Sequence, residues 1–265
     1  MWDGIDREFL WDRVERGFDS LNLGVDVSHS DGALEPRFLE IYRACKGYSQ
    51  TSRARMYALY KSIEYIVKAR VPGDIVECGV WTGGSMMLAA RTLLALGERD
   101  RRIFLFDTFE GMSRPGEHDR LLKGGTPALP KWERVHRGYP AGSLRGYAGS
   151  IGRVRRNLES TGYPTDRLVF VQGRVEDTLP ASSPDSVALL RLDTDWYEST
   201  KHELRCLYPR LARRGVLIVD DYGCWAGAKR AVDEYFADRP FELMTRIDHT
   251  GRLALKTEPE APGAD

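Results

Sequence analysis

Two pairs of carboxylates carry the most evident chemistry in this chain. Asp193 and Asp195 follow the apolar run Val187-Ala188-Leu189-Leu190-Arg191-Leu192. Asp220 and Asp221 follow a second run, Val216-Leu217-Ile218-Val219. Each run reads as a buried strand. Ligands of an open parallel sheet bind outside the carboxyl ends of its strands, so neighbouring strands here would bring four acids to one rim. Four anions in one place repel each other, and a divalent cation is the simplest remedy. The ion expected is hard and oxygen-bound, because no Cys or His pair competes as a zinc site. A single strand-end aspartate is an ordinary loop former; D-x-D and D-D at two strand ends are more than that. Adjacent Asp220 and Asp221 would face opposite ways inside a regular strand, but they can converge where the backbone turns. Spacing alone does not decide which of Asp193 and Asp195 binds metal and which takes a proton.

The elements before these strands supply a second kind of site. Asp74 to Cys78 reads as a strand ending in an acid, Glu77, followed by Gly79-Val80-Trp81-Thr82-Gly83-Gly84-Ser85 and a helix to Leu96. Glycines let the backbone turn sharply and approach a ligand. The second glycine falls four residues after the first, which differs from the G-x-G-x-x-G of dinucleotide folds. No Gly-Lys-Ser/Thr follows, so a P-loop is excluded. The pattern E-x-G-x-x-x-G-x-S is the form found in S-adenosylmethionine methyltransferases. The next strand, Arg102 to Phe106, ends in Asp107, one βαβ step along, where a carboxylate can accept both ribose hydroxyl protons.

The remaining elements follow from periodicity. Met56, Leu59, Tyr60, Ile63, Ile66 and Val67 predict a helix over 51–70, capped by Thr51 or Ser52 and ended by Val71-Pro72-Gly73. A short basic helix is expected over 150–162, a strand over 167–172, helices over 199–210 and 227–236, and a closing hairpin from 241–247 and 252–256. Residues 1–50 read as an N-terminal cap, with one short helix face at Trp2, Phe9, Leu10, Trp11 and Val14 and another at Phe38, Leu39, Ile41 and Tyr42. Residues 51–257 form the main domain. Within it, 108–148 is rich in glycine, proline and aromatic residues and reads as a substrate lid. The tail 258–265 is expected to fray.

Composition narrows the class. The 265 residues suffice for one α/β domain with a sizeable core. Lys+Arg and Asp+Glu balance at 39 each, which gives no reason to expect a nucleic-acid or membrane-surface partner. The four cysteines have no metal-ligand spacing and read as buried thiols of a reducing compartment. The start of the chain lacks signal-peptide character, and no apolar stretch approaches the ~20 residues of a membrane span. A soluble, cytoplasmic protein is the expectation.

Five ordered segments carry a resemblance. Pro72-Gly73-Asp74-Ile75-Val76-Glu77-Cys78-Gly79-Val80-Trp81-Thr82-Gly83-Gly84-Ser85, Phe106-Asp107-Thr108-Phe109-Glu110-Gly111-Met112, Val175-Glu176-Asp177-Thr178-Leu179-Pro180, Arg191-Leu192-Asp193-Thr194-Asp195-Trp196-Tyr197-Glu198-Ser199-Thr200 and Asp220-Asp221-Tyr222 resemble the macrocin O-methyltransferase (TylF-type) family, in order, over about residues 50–250. The resemblance implies an α/β, Rossmann-like class I methyltransferase. Its central, mostly parallel sheet would have seven strands with helices on both faces. It also implies S-adenosylmethionine and Mg2+ as cofactors, and a sugar hydroxyl of a glycosylated natural product as acceptor. Carried over, Asp193, Asp220 and Asp221 would hold the metal and Asp195 would be the general base. Glu77 and Gly79 would sit near the methionine part of the cofactor, with Ser85 beginning the helix beside it. Asp107 would bind ribose, and Val175 and Glu176 would lie near adenine. Many methyltransferases place an acid directly after the glycine of that last segment; here the position is Arg174. A homo-oligomer is a family-level expectation.

Two other readings compete. A catechol or other small phenol could be methylated by the same metal chemistry. A non-catalytic S-adenosylmethionine-binding protein would have no need of the four acids. Trp196, Tyr197, Tyr222 and Trp225 flank the acids and can either stack on an acceptor or fill core.

Overall fold

In the computed structural model the described residues are 34–137, 149–239 and 243–257. The chain divides between Glu40 and Ile41 into two compact units, and the sheet belongs to the second. The expected helix face at Trp2–Val14 and the tail lie outside the described residues. The face at Phe38–Tyr42 falls in α1, Pro36–Cys45.

Helix α2, Arg53–Lys68, begins where Ser52 caps it, the hydroxyl accepting from Arg55 N at 3.2 Å. Its buried stripe is Met56, Leu59, Tyr60, Ile63 and Ile66, the apolar face that its sequence spacing predicts. Then follow β1 (Asp74–Cys78), α3 (Gly84–Ala95) and β2 (Ile103–Asp107). After these come α4 (Leu129–His136), α5 (Ile151–Glu159), β3 (Leu168–Gln172) and α6 (Val175–Thr178). The chain closes with β4 (Val187–Leu192), α7 (Tyr197–Leu207), β5 (Leu211–Val219), α8 (Ala226–Phe236), β6 (Thr245–Arg246) and β7 (Arg252–Leu255).

The seven strands lie in the order β3-β2-β1-β4-β5-β7-β6. The first five are parallel, and β7 runs antiparallel to both β5 and β6. β4 is buried along its whole length and β1 over four of its five residues, as strands covered on both faces must be. One face packs Leu204, Leu207, Val232, Tyr235 and Phe236 of α7 and α8 against Leu190, Leu192, Leu217 and Val219. Winding reverses between β1 and β4. That topological switch point is where a doubly wound sheet opens a crevice at its carboxyl edge. β1, β2 and β3 send their ends to one side of it and β4 and β5 to the other. No described helix is long and apolar enough to cross a membrane.

Three of the departures from expectation have a clear physical reason. β5 starts at Leu211, not Gly215, because exposed Arg213 and Arg214 mask a strand start; the ladder slips between Val187↔Leu211 and Leu189↔Val216. α7 starts at Tyr197, two residues early, because its cap comes from afar: Asp119 Oδ1 accepts from Tyr197 N at 2.8 Å. The stretch after β2 is more than loop. It contains α4 and two short backbone pairings, Arg120↔Pro127 and Leu121↔Trp225. Residues 138–148 of the expected lid lie outside the described residues.

Candidate active site

A cleft opens at the ends of β1, β2 and β3, where a doubly wound sheet takes its ligand. Gly79, Asp107, Val175 and Glu176 line it, together with Arg174, Gly173, Met112 and Thr194. Gly79 is required at its position: its φ is +85°, and a Cβ there would stand 2.1 Å from the Asp193 carbonyl oxygen. The turn after β1 therefore lies directly against the turn after β4. Asp107 ties this edge together. Its Oδ2 accepts from Val80 N at 2.6 Å and Trp81 N at 3.1 Å, and its Oδ1 accepts from Phe109 N at 2.7 Å. Burial raises its pKa, and these backbone N–H groups pull it back down. Arg174, where an acid was looked for, pairs with Glu176 at 3.3 Å.

Of the expected cofactor residues, Glu77 and Ser85 do not line the cleft. Ser85 is buried in the first turn of α3. Glu77 is buried at 1% exposure and serves the other side of the crevice. Its partner is Arg191, a cation at 2% exposure inside the apolar strand β4. Arg191 Nη1 donates to Glu77 Oε1 and to Asp193 Oδ2, each at 2.7 Å. Its Nη2 donates to Asp220 Oδ1 at 2.5 Å and to Thr51 Oγ1 at 2.8 Å. Arg55, on the first turn of α2, donates from Nη1 to Asp220 Oδ2 and from Nε to Asp248 Oδ2 at 3.0 Å. Each oxygen of Asp220 thus meets a guanidinium. Sequence reading passed over both arginines as site residues. A charged residue inside an otherwise apolar strand was the signal for Arg191; Arg55 on an exposed-looking helix turn gave none.

The acids meet as their strand ends predict. One oxygen each of Asp193, Asp220 and Asp221 lies within 4.8 Å of the others. Asp221 touches both Asp193 and Asp195. Asp195 takes a left-handed backbone, φ +69°, which turns the chain out of β4. Its Oδ1 accepts from the Trp225 indole N–H at 2.9 Å. Burial, then the charge of Asp193, pushes Asp195 up to about 7. Burial raises Asp193 and Asp221 well above the usual carboxylate range, against the pull of Arg191 on the first and with Asp195 and Asp220 adding to the second. Glu77 is pushed to about 7 by burial, with Arg191 opposing. Six carboxyl groups, Asp248 included, therefore share two guanidiniums, and the excess negative charge asks for protons or for a cation. The donor set suits a hard divalent ion: all oxygen, clustered, and with Asp221 Oδ2 buried and lacking a hydrogen-bond partner.

The flanking aromatics are already engaged. Tyr197 Oη donates to Glu234 Oε2 at 2.6 Å and Tyr222 Oη to Asp233 Oδ1 at 2.7 Å, both on α8. Trp196 donates to the Ser113 carbonyl at 2.9 Å and meets Trp225 edge to face at 5.0 Å.

Comparison with known proteins decides the class. Residues 35–254 match the family described as Macrocin-O-methyltransferase (TylF). The chain belongs to that family. It is 37% identical over 199 residues to demethyldecarbamoylnovobiocin O-methyltransferase of Streptomyces niveus, covering 74% of this chain and 71% of the relative. It is 33% identical over 217 residues to mycinamicin III 3''-O-methyltransferase of Micromonospora griseorubida, covering 79% and 81%. Its fold superposes on the O-methyltransferase NovP with a TM-score of 0.68, 34% identity and coverage of 80% and 83%. It also superposes on the calicheamicin methyltransferase CalS11, with a TM-score of 0.52, 22% identity and coverage of 76% and 77%. This member of the TylF family is accordingly an S-adenosylmethionine-dependent O-methyltransferase, with the seven-stranded class I fold that its motifs imply. A purely binding role is set aside.

Proposed function

We propose that this enzyme methylates a sugar hydroxyl of a glycosylated natural product, with Mg2+ held by Asp193, Asp220 and Asp221 and with Asp195 as general base. One observation carries the reading. Thr194 lines the cleft while its neighbours Asp193 and Asp195 belong to the acid rim. Donor and acceptor sites are therefore one residue apart. The relatives above, whose names specify novobiocin-type and mycinamicin-type acceptors, supply the acceptor class.

Gly79, Asp107, Val175 and Glu176 would hold S-adenosylmethionine in the cleft, with Glu77 and Ser85 supporting the wall from behind. S-adenosylmethionine supplies an electrophilic methyl group. A sugar hydroxyl is a poor nucleophile near neutral pH. Mg2+ at the rim would supply the positive charge that makes such a hydroxyl acidic. Asp195 receives the hydroxyl proton on its carboxylate. Asp220, fixed by Arg191 and Arg55, keeps its place while its neighbours exchange charge. What remains is placement of oxygen, methyl carbon and sulfur in line. Thr108, Gly111, Met112 and Ser113 of the segment after β2 line the cleft and would help to keep water from the reacting groups. Work in the cytoplasm and assembly into a homo-oligomer are parts of the same proposal, the latter checked by light scattering.

The test is transfer of labelled methyl to a panel containing demethyldecarbamoylnovobiocin, mycinamicin III, their aglycones and simple catechols, with Mg2+ and with EDTA. Mg2+-dependent transfer to a glycoside is expected. Transfer to catechols alone would move the acceptor to phenols, and transfer that survives EDTA would remove the metal from the rim.

A further inference from the structure

We propose that Trp225 is the positioning residue of the general base: its indole N–H sets the direction of the Asp195 carboxylate, and the segment Asp119–Leu122 sets Trp225. This rests on the reading of Asp195 as the base.

Asp195 stands in a left-handed turn beyond the last residue of β4. A carboxylate that must meet a hydroxyl needs its orientation fixed by something other than the substrate. Trp225 Nε1 does this at 2.9 Å from Oδ1. The choice of donor matters. An indole N–H donates only and does not titrate in the working range. It cannot exchange roles with the acid as a water or a second carboxyl could. A permanent donor on Oδ1 leaves the incoming proton to Oδ2 or to the neighbouring Asp221, which also touches this carboxyl.

The indole is itself held from several sides. Trp225 N donates to the Asp221 carbonyl at 3.0 Å. The Trp196 ring closes on it edge to face. Its backbone bridges Leu121, and hydrogen bonds flank the bridge: Leu122 N to the Cys224 carbonyl at 2.8 Å and Ala226 N to the Arg120 carbonyl at 2.9 Å. The brace is anchored by Asp119, 2% exposed, whose Oδ1 caps α7 and whose Oδ2 accepts from Gly116 N at 2.7 Å. Gly227 leaves room for it: a Cβ there would stand 2.0 Å from Asp119 Oδ1. One short segment thus grips the starts of α7 and α8, the helices that follow the two acid-bearing strands. The base is aimed before any acceptor arrives.

Two measurements test this. The first needs no acceptor. The indole N–H of Trp225, one of six in the chain, is identified in a nitrogen–proton NMR spectrum by its loss in Trp225→Phe. In Asp195→Ala it should move upfield and exchange faster with solvent, while the other assigned indoles stay in place. An unmoved resonance overturns the proposal. The second is a double-mutant cycle on methyl transfer to the panel glycoside turned over fastest. Trp225→Phe should lower kcat about 10- to 100-fold, as loss of one orienting contact does, with the affinity for S-adenosylhomocysteine, read by calorimetry, within about twofold. Combining it with Asp195→Asn should add nothing further. An additive double mutant, or a loss of kcat matched by loss of cofactor affinity, would assign Trp225 to packing. If Asp195→Asn alone leaves kcat unchanged, the base assignment fails, whatever Trp225 does.

Discussion

The two sides of the crevice bind charge in opposite ways. At the end of β2 the carboxylate of Asp107 is answered by backbone N–H groups supplied by turns next to it in sequence or in the sheet. At the ends of β4 and β5 the carboxyl groups of Asp193, Asp195 and Asp220 are answered by long side chains, Arg191 inside the sheet, Arg55 from α2 and Trp225 before α8, while Asp221 Oδ2 has no such partner. The first side is a rigid wall of backbone, suited to holding a ligand that only has to lie still. The second is a cluster of groups pushed toward neutrality by burial and by each other, suited to taking up a cation and passing a proton. If this contrast is right, mutations on the two sides separate cleanly into cofactor binding and turnover.

The largest separation should come from Asp195→Asn. It removes a proton acceptor while keeping shape, so kcat should fall by about 10²- to 10⁴-fold with cofactor affinity nearly intact. A parallel loss of S-adenosylhomocysteine binding would merge the two sides and break the contrast. Next comes Arg191→Met. Arg191 is the cation on which Glu77, Asp193 and Asp220 all depend. Removing one partner of a buried ionic cluster costs about 3–5 kcal/mol. The loss should be read by denaturant unfolding, and Mg2+ should recover part of it by supplying the missing positive charge. Unfolding that is indifferent to both changes would mean the rim is not an electrostatic unit.

The same contrast explains what could be read in advance. Strand ends, the glycine turn and the order of motifs are local signals, so the sheet, the cleft and the convergence of Asp193, Asp220 and Asp221 were all legible. The rim's counter-charges were not. Arg191 was visible as an oddity in β4, but its three acid partners come from β1, from the residues just beyond β4 and from those just beyond β5, and only the fold joins them. Asp119 lay in a stretch without periodicity. Its role as the cap of a helix 78 residues later in the chain leaves no trace in local spacing. For the same reason the start of α7 lies two residues before the expected one, and neither expected role of Trp225, stacking on an acceptor or filling core, includes the polar edge that faces Asp195.

A smaller effect is expected on the cleft side. Asp107→Ala deletes a carboxylate that both lines the cleft and ties the turn after β1 to the turn after β2. Cofactor affinity should fall at least about tenfold, the equivalent of one charge-assisted hydrogen bond. Mg2+ affinity, measured separately by calorimetry, should stay within about twofold. If metal binding falls equally, Asp107 supports the whole crevice and not one side of it.

The smallest effect sharpens the contrast by adding a carboxyl that neither side answers. Glu203 lies on α7 at 0% exposure. Both its oxygens lack a hydrogen bond of normal geometry, although the Thr194 hydroxyl is near. Burial lifts its pKa well above 4.5, and the nearby charges of Glu176 and Asp193 push the same way. A carboxyl whose folded pKa exceeds its unfolded one contributes its full stability only below the unfolded value, and that contribution is lost as pH rises through the window up to the folded pKa. At neutral pH the native state must therefore carry either a desolvated charge or a proton held against the solution. Glu203→Gln removes the ionisable group but still buries a polar amide, so the gain should be modest, roughly 1 kcal/mol at pH 7, and should shrink toward zero as pH falls to about 4.5. Urea unfolding at a series of pH values reads this directly. A variant that is less stable than the parent at every pH would mean that Glu203 has a partner in the working enzyme and is a further answered carboxyl of the site.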